Sequence, residues 1–265
     1  MTPILLTDTV TTDLDRALHY ALLWGHEGLA IRTFGRHGER IPYVNEAKLK
    51  RRLDEHDLPL VAVEPGLFEG AAGDRVQALT DLGALPETLS FCVRFGCRLV
   101  LVGALAADSE TSPVAGAEVL RRAGEAAAKQ GVVLGVRNQA GTACAGGAAL
   151  AALLAEVAHP NVRAAWSPVE ALVAKRDQAA SLKADAHAVG PHAALVVVRD
   201  GRGAGGVWTE AIPGEGTVGW ENHLQILHDG GFNGPCCLEV HGEPAGPFGL
   251  RATTSLVQLQ RRAID

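Results

Sequence analysis

VVLGVRNQA, residues 132–140, joins five apolar residues to an arginine and an asparagine. Valine and leucine at all but one of the first five positions suit a strand covered on both faces, as in a parallel sheet. Arg137 and Asn138 then fall where such a strand leaves the core. The stretch GGAALAALLAEVA that follows is alanine- and leucine-rich and long enough to fold as a helix over that strand.

The same strand-then-helix unit recurs along the chain. ILLTDTV (4–10) precedes DLDRALHYALLWG, with Asp13 as N-cap and Gly25 past the helix end. GLAIRTF (28–34) precedes VNEAKLKRRLDEHDL; PLVAVEP (59–65) precedes a helical stretch around 74–95; RLVLVGAL (98–105) precedes AGAEVLRRAGEAAAKQG. VRAAW (162–166) leads to VEALVAKRDQAASLKADA, AALVVV (193–198) to WENHLQILHDGG, and CCLEV (236–240) to a final helix near 247–263. Eight such units predict an α/β protein, a single (β/α)8 TIM barrel forming one domain over 1–265. A doubly wound open sheet is the alternative, but TDTVTTD after the first strand lacks a glycine fingerprint for dinucleotides.

Composition narrows the partners. The chain has 24 basic and 30 acidic residues, a net charge of −6, mixed along its length. No basic surface for nucleic acid or anionic lipid is expected. No window reaches the roughly 18 apolar residues of a membrane span. Cys92, Cys97, Cys144, Cys236 and Cys237 form an odd set without a CxxC pair, which fits a reducing cytoplasm. Self-association is left open.

In a barrel, the residues just after each strand meet at one rim and build the site. Here they are Asp8, Arg32, Glu64, Gly103, Arg137 with Asn138, Ser167, Arg199 with Asp200, and Glu239 with His241. Any one of them is most simply a solvated loop residue. Eight strand ends forced together make a charged pocket the better expectation. Trp166 and Trp208 can stack on a sugar ring, although a tryptophan at a strand end more often packs.

IPGEGTVGWENHLQILHDGGFNGPCCLEVHGEP (212–244), with its G-x-G loop, tryptophan-led helix and strand bearing a glutamate, resembles the closing segment of the sugar isomerase and epimerase barrels related to xylose isomerase and the metal-dependent apurinic endonucleases. PLVAVEPG and GVVLGVRNQ resemble that family's third and fifth strands, so the resemblance spans nearly the whole chain. It implies a divalent cation held by a glutamate ending strand five, an aspartate ending strand six, a histidine on strand seven and a glutamate on strand eight. This sequence departs from that set. Arg137 stands in the first glutamate's place, Ser167 in the aspartate's and Val197 or Val198 in the histidine's; Glu239 alone remains.

A guanidinium cannot ligate a cation. Arg137 is therefore expected to bring positive charge where the family holds a metal, and to pair with Glu239. A register shifted by one, with Asn138 or Gln139 inward, is the other reading. The resemblance implies a sugar, sugar phosphate or hydroxy acid isomerase or epimerase, here without a metal or other cofactor. Glu239, Arg137 and His241 are the catalytic candidates, with Glu64 and Glu243 as possible partners. Arg32, Glu64, Asn138, Trp166, Ser167, Arg199, Asp200 and Trp208 are the substrate-binding candidates. The ligand is expected to be a small polyhydroxy or anionic sugar-like compound. A catalytically inactive barrel that binds such a ligand or a protein is the competing expectation, and an endonuclease is disfavoured by the absence of a basic face.

Overall fold

The structure, a computed structural model, describes every residue except 71–72, 107–111, 113, 175–178, 205–206 and 265. Eight parallel strands close into a barrel: β1 (Thr2–Leu6), β2 (Leu29–Ile31), β3 (Leu60–Val63), β4 (Leu99–Val102), β5 (Val133–Arg137), β6 (Val162–Trp166), β7 (Ala193–Val198) and β8 (Pro235–Leu238). Neighbours in sequence are neighbours in space, and β1 closes the ring by pairing with both β2 and β8. The expected single (β/α)8 barrel is therefore the fold.

Helices α1 (Leu14–Trp24), α2 (Glu46–His56), α3 (Arg75–Phe95), α4 (Ala117–Ala128), α5 (Gly147–Val157), α6 (Pro168–Val173), α7 (Ala179–Val189), α8 (Trp220–Asp229) and α9 (Ala245–Ile264) make up the outer layer. The expected caps of α1 are in place: Asp13 accepts from the Arg16 N–H at 3.0 Å, and Gly25 takes the left-handed conformation at φ 83°. The stretch after β6, read from sequence as one helix, contains two. Ser167–Pro168 starts α6 directly at the strand end, and residues 175–178 between α6 and α7 lie outside the described residues. Among the described residues no helix is long and apolar enough to cross a membrane.

Side-chain alternation along the strands divides the core in two. One set, Ile4, Leu6, Ala30, Ala62, Leu99, Leu101, Ala165, Leu195, Val197 and Cys237, fills the barrel interior. The other, far larger set, including Leu5, Ile31, Val63, Val136, Trp166, Val198 and Leu238, packs outward against the helices. Gly135 belongs to the interior parity; a methyl there would meet Leu101 Cδ2 at 3.0 Å and the Ala165 Cβ at 3.2 Å. Counting two residues on from the inner positions Ala30, Ala62, Gly135, Val197 and Cys237 gives Arg32, Glu64, Arg137, Arg199 and Glu239. The hydrophobic pattern of the barrel thus aims these five charged groups at its mouth.

Candidate functional site at the barrel mouth

A cavity of about 300 Å³ opens at the C-terminal ends of the strands, with Arg32, Glu64, Arg137, Arg199, Glu239 and His241 among its lining. At its centre Arg137 spans two strand ends. Nη1 donates to Glu64 Oε1 at 2.8 Å and Nη2 to Glu239 Oε1 at 2.9 Å. His241 Nε2 lies 3.3 Å from the other oxygen of Glu239. The expected pairing of Arg137 with Glu239 is present, and Glu64 completes it from the opposite arm of the guanidinium.

Burial works against the charge on Glu239, but the Arg137 guanidinium, the hydrogen bond with His241 and the charge of Arg199 outweigh it. Its carboxyl is held well below the usual carboxylate range. Burial likewise opposes the charge on Arg137, and Glu239 and Glu64 together outweigh that, pushing its pKa up. Arg137 and Glu239 each hold the other in its charged form.

Two further arginines flank the triad. Arg32 donates through Nε to Asp8 Oδ2 at 2.9 Å, while its Nη1 stands 3.7 Å from Glu64 Oε2. Asp8 also accepts from the Thr33 hydroxyl at 2.7 Å. Arg199 contacts Glu210 Oε1 at 2.6 Å and Glu170 Oε1 at 3.6 Å. The second oxygen of Glu170 accepts the Ala140 N–H, which ties the loop after β5 to the first turn of α6.

Asn138, one residue beyond Arg137, borders the cavity with its amide fully used. Nδ2 donates to the carbonyls of Ala145 and Ser167, and Oδ1 accepts the Ser167 N–H at 2.8 Å. The inward register therefore belongs to Arg137, and Asn138 joins the ends of β5 and β6. Ser167 is wholly buried beside it and does not line the cavity.

Three other expected binding residues lie outside the cavity. Trp166 has the outward parity and packs against His223 of α8, ring centroids 5.8 Å apart. Asp200, one residue past Arg199, also turns away: its two oxygens accept the backbone N–H groups of Gly201, Gly214, Gly216 and Val218. It organises the G-x-G loop; burial pushes its pKa up against those four hydrogen bonds. Trp208 lies on the hairpin formed by Asp200–Ala204 and Val207–Ala211 and donates from its indole to Glu210 at 2.9 Å.

Glu170 and Glu69 line the cavity although the strand-end reading does not reach them, and Gln139, named there only for the shifted register, lines it beside Arg137. Glu170 sits in the first turn of α6, and W-S-P-V-E, with proline starting the helix, is the signal that places it there. β4 brings Leu101 and Val102 to the cavity but no charged side chain at its end, because Gly103 lies against the loop after β3. A Cβ at Gly103 would stand 2.2 Å from the Phe68 carbonyl oxygen.

Among the described residues no three His, Cys, Asp or Glu side chains converge as a set able to hold a metal ion. Glu64 and Glu239, which both line the cavity, each pair with the permanently protonated guanidinium of Arg137. This donor set does not fit a divalent cation.

The chain belongs to the xylose isomerase-like TIM barrel family, whose model matches residues 19–258. No curated protein matches the sequence. Among solved structures it is similar to L-ribulose 3-epimerase, at 13% identity and a TM-score of 0.76, over 99% of this chain and 95% of that one. It is also similar to the probable 3-DHS dehydratase AsbF from Bacillus anthracis, at 15% identity and a TM-score of 0.75, over 97% and 99%. A third is a xylose isomerase-like TIM barrel protein from Mycobacterium smegmatis in complex with magnesium, at 14% identity and a TM-score of 0.77, over 100% and 97%. At these identities the likeness is one of fold.

Proposed function

We propose that the protein is an isomerase- or epimerase-like enzyme of small polyhydroxy carbonyl compounds that needs no divalent cation, with Arg137 supplying the positive charge. The observation that carries this is the placement of Arg137 between Glu64 and Glu239 at the centre of the mouth. Proton transfer next to a carbonyl develops negative charge on oxygen, and a fixed, partly desolvated guanidinium stabilises that charge without reorganising. A guanidinium has five N–H donors, and its two carboxylate partners use two. The remainder are free for a carbonyl oxygen.

A cavity of about 300 Å³ is the size of a small-molecule site. A sugar phosphate or hydroxy acid would have to compete with Asp8, Glu64, Glu170, Glu210 and Glu239 for the three arginines, whereas a neutral polyhydroxy ligand would not. The neutral form is therefore the first candidate, with acids and phosphates tested beside it. Five buried cysteines that form no disulfide with one another accord with work in a reducing cytoplasm.

One observation favours a barrel that binds without turnover: both oxygens of Glu239 are engaged, and its depressed pKa makes it a weak base. Proton NMR in D2O with a chelator present, over a panel of ketoses, their phosphates and hydroxy acids, separates the readings. The proposal expects loss of the signal from the carbon next to the carbonyl for at least one compound. A compound that raises the melting temperature yet never exchanges supports the binding barrel instead.

A further inference from the structure

The two carboxylates that grip Arg137 are not equivalent. Glu239 has Oε1 on Arg137 and Oε2 beside His241. Glu64 has Oε1 on Arg137, while its Oε2 is buried and accepts no hydrogen bond. The Arg32 Nη1 at 3.7 Å is beyond hydrogen-bond range, and Arg32 is fastened to Asp8 through Nε. A buried carboxylate oxygen without a donor is costly to keep, and one carried by a residue that lines a cavity marks a place where function is served.

Resting on the isomerase-like reading, we propose that Glu64, through Oε2, is the base that takes the proton from the carbon next to the ligand's carbonyl. The C–H bond breaks and its electron pair becomes the enediolate double bond. The carbonyl pair moves onto oxygen, facing the remaining N–H donors of Arg137, and the proton rests on Glu64 Oε2. In an isomerisation the same carboxylic acid returns that proton to the neighbouring carbon, while a hydroxyl proton passes between the two oxygens through the paired His241 and Glu239. Nothing is oxidised or reduced overall, and no co-reactant is consumed. Arg32, the more exposed of the two arginines near Glu64 (31% against 16% for Arg137), is the side chain a ligand displaces to reach Oε2.

The test uses the whole protein in two arms. Glycidol, a small neutral epoxide, esterifies an accessible carboxylate when a carboxylate oxygen attacks a ring carbon, the C–O bond opens and the alkoxide takes a proton from water. Peptide mass mapping is expected to find the ester at Glu64; an ester at Glu239 with Glu64 unmodified overturns the assignment. In the second arm, exchange into D2O with D-fructose, dihydroxyacetone and hydroxypyruvate is followed for wild type, Glu64→Gln and Glu64→Asp. Gln keeps the oxygen that accepts from Arg137. Glu64→Gln is expected to lose about a hundredfold or more in exchange rate, the usual worth of a positioned base, and Glu64→Asp to recover part of it. Exchange by wild type that is undiminished in Glu64→Gln overturns the role of Glu64 alone. Absence of exchange in wild type overturns the isomerase-like reading and the assignment with it.

Discussion

Arg137 and Glu239, 102 residues apart in sequence, meet at 2.9 Å across the mouth of the barrel. Both have the inward parity of their strands, two residues beyond Gly135 and Cys237. The pair is buried, so its worth lies in what its loss leaves behind: removing one partner strands a charge in a desolvated site. Arg137→Ala strands two, Glu64 and Glu239. The expected result is a loss of about 3–5 kcal/mol in unfolding free energy at pH 7, read by urea denaturation. Replacing all three by apolar residues of similar volume is expected to cost far less than the single change.

The depressed pKa of Glu239 fixes the sign of a pH effect. The unfolded carboxyl titrates near 4.3 and the folded one well below it, so the contribution is fully present above about pH 5. It is lost as pH falls from there toward the folded value. Glu239→Gln is expected to be less stable than wild type at pH 7 and to lose less on acidification from pH 5 to pH 3. Parallel stability curves for the two proteins would show that Glu239 carries no such linkage.

His26 supplies a second pH dependence, unrelated to the site. It is buried, its Nε2 lies 3.0 Å from the Thr253 hydroxyl of α9, and burial pushes its pKa down to about 4. The unfolded imidazole takes a proton near pH 6.5 and the folded one does not. Stability therefore falls between pH 6.5 and 4, by about 3 kcal/mol in total. Denaturation across that range is expected to show this slope in wild type and a flatter one in His26→Gln.

Asp200 is expected to act through the loop it organises. In Asp200→Asn the side-chain volume is unchanged, but an amide nitrogen must face two backbone N–H groups, either those of Gly201 and Val218 or those of Gly214 and Gly216. A loss of about 2–3 kcal/mol is expected at pH 7 by urea denaturation.

The barrel was legible in the sequence because each strand is short and apolar and a helical stretch comes before the next one; the hairpin after β7 and the break after β6 do not disturb that alternation. The site was legible to the extent that strand ends were. Arg32, Glu64, Arg137, Arg199 and Glu239 fall at the mouth, as strand ends do, whereas Asn138 and Asp200 are one residue out of phase and serve the backbone. Parity counted from Gly135 or Val197 separates the two classes, but a strand with polar residues on successive positions hides it. Glu170 was missed because it belongs to a helix start. Trp166 packs, as a tryptophan at a strand end more often does, and it is the outward phase of the side chain that decides this over stacking on a sugar.

Arg137 is proposed to stand where the family's cation would, and the metal content of the purified protein is the test. The protein, purified without chelator from cells grown with added Mn²⁺, Co²⁺ and Zn²⁺ and then dialysed, is analysed by inductively coupled plasma mass spectrometry. Metal far below one equivalent per chain is the expected result. About one tightly bound equivalent of any of the three, lost on substitution of Glu239, would contradict it.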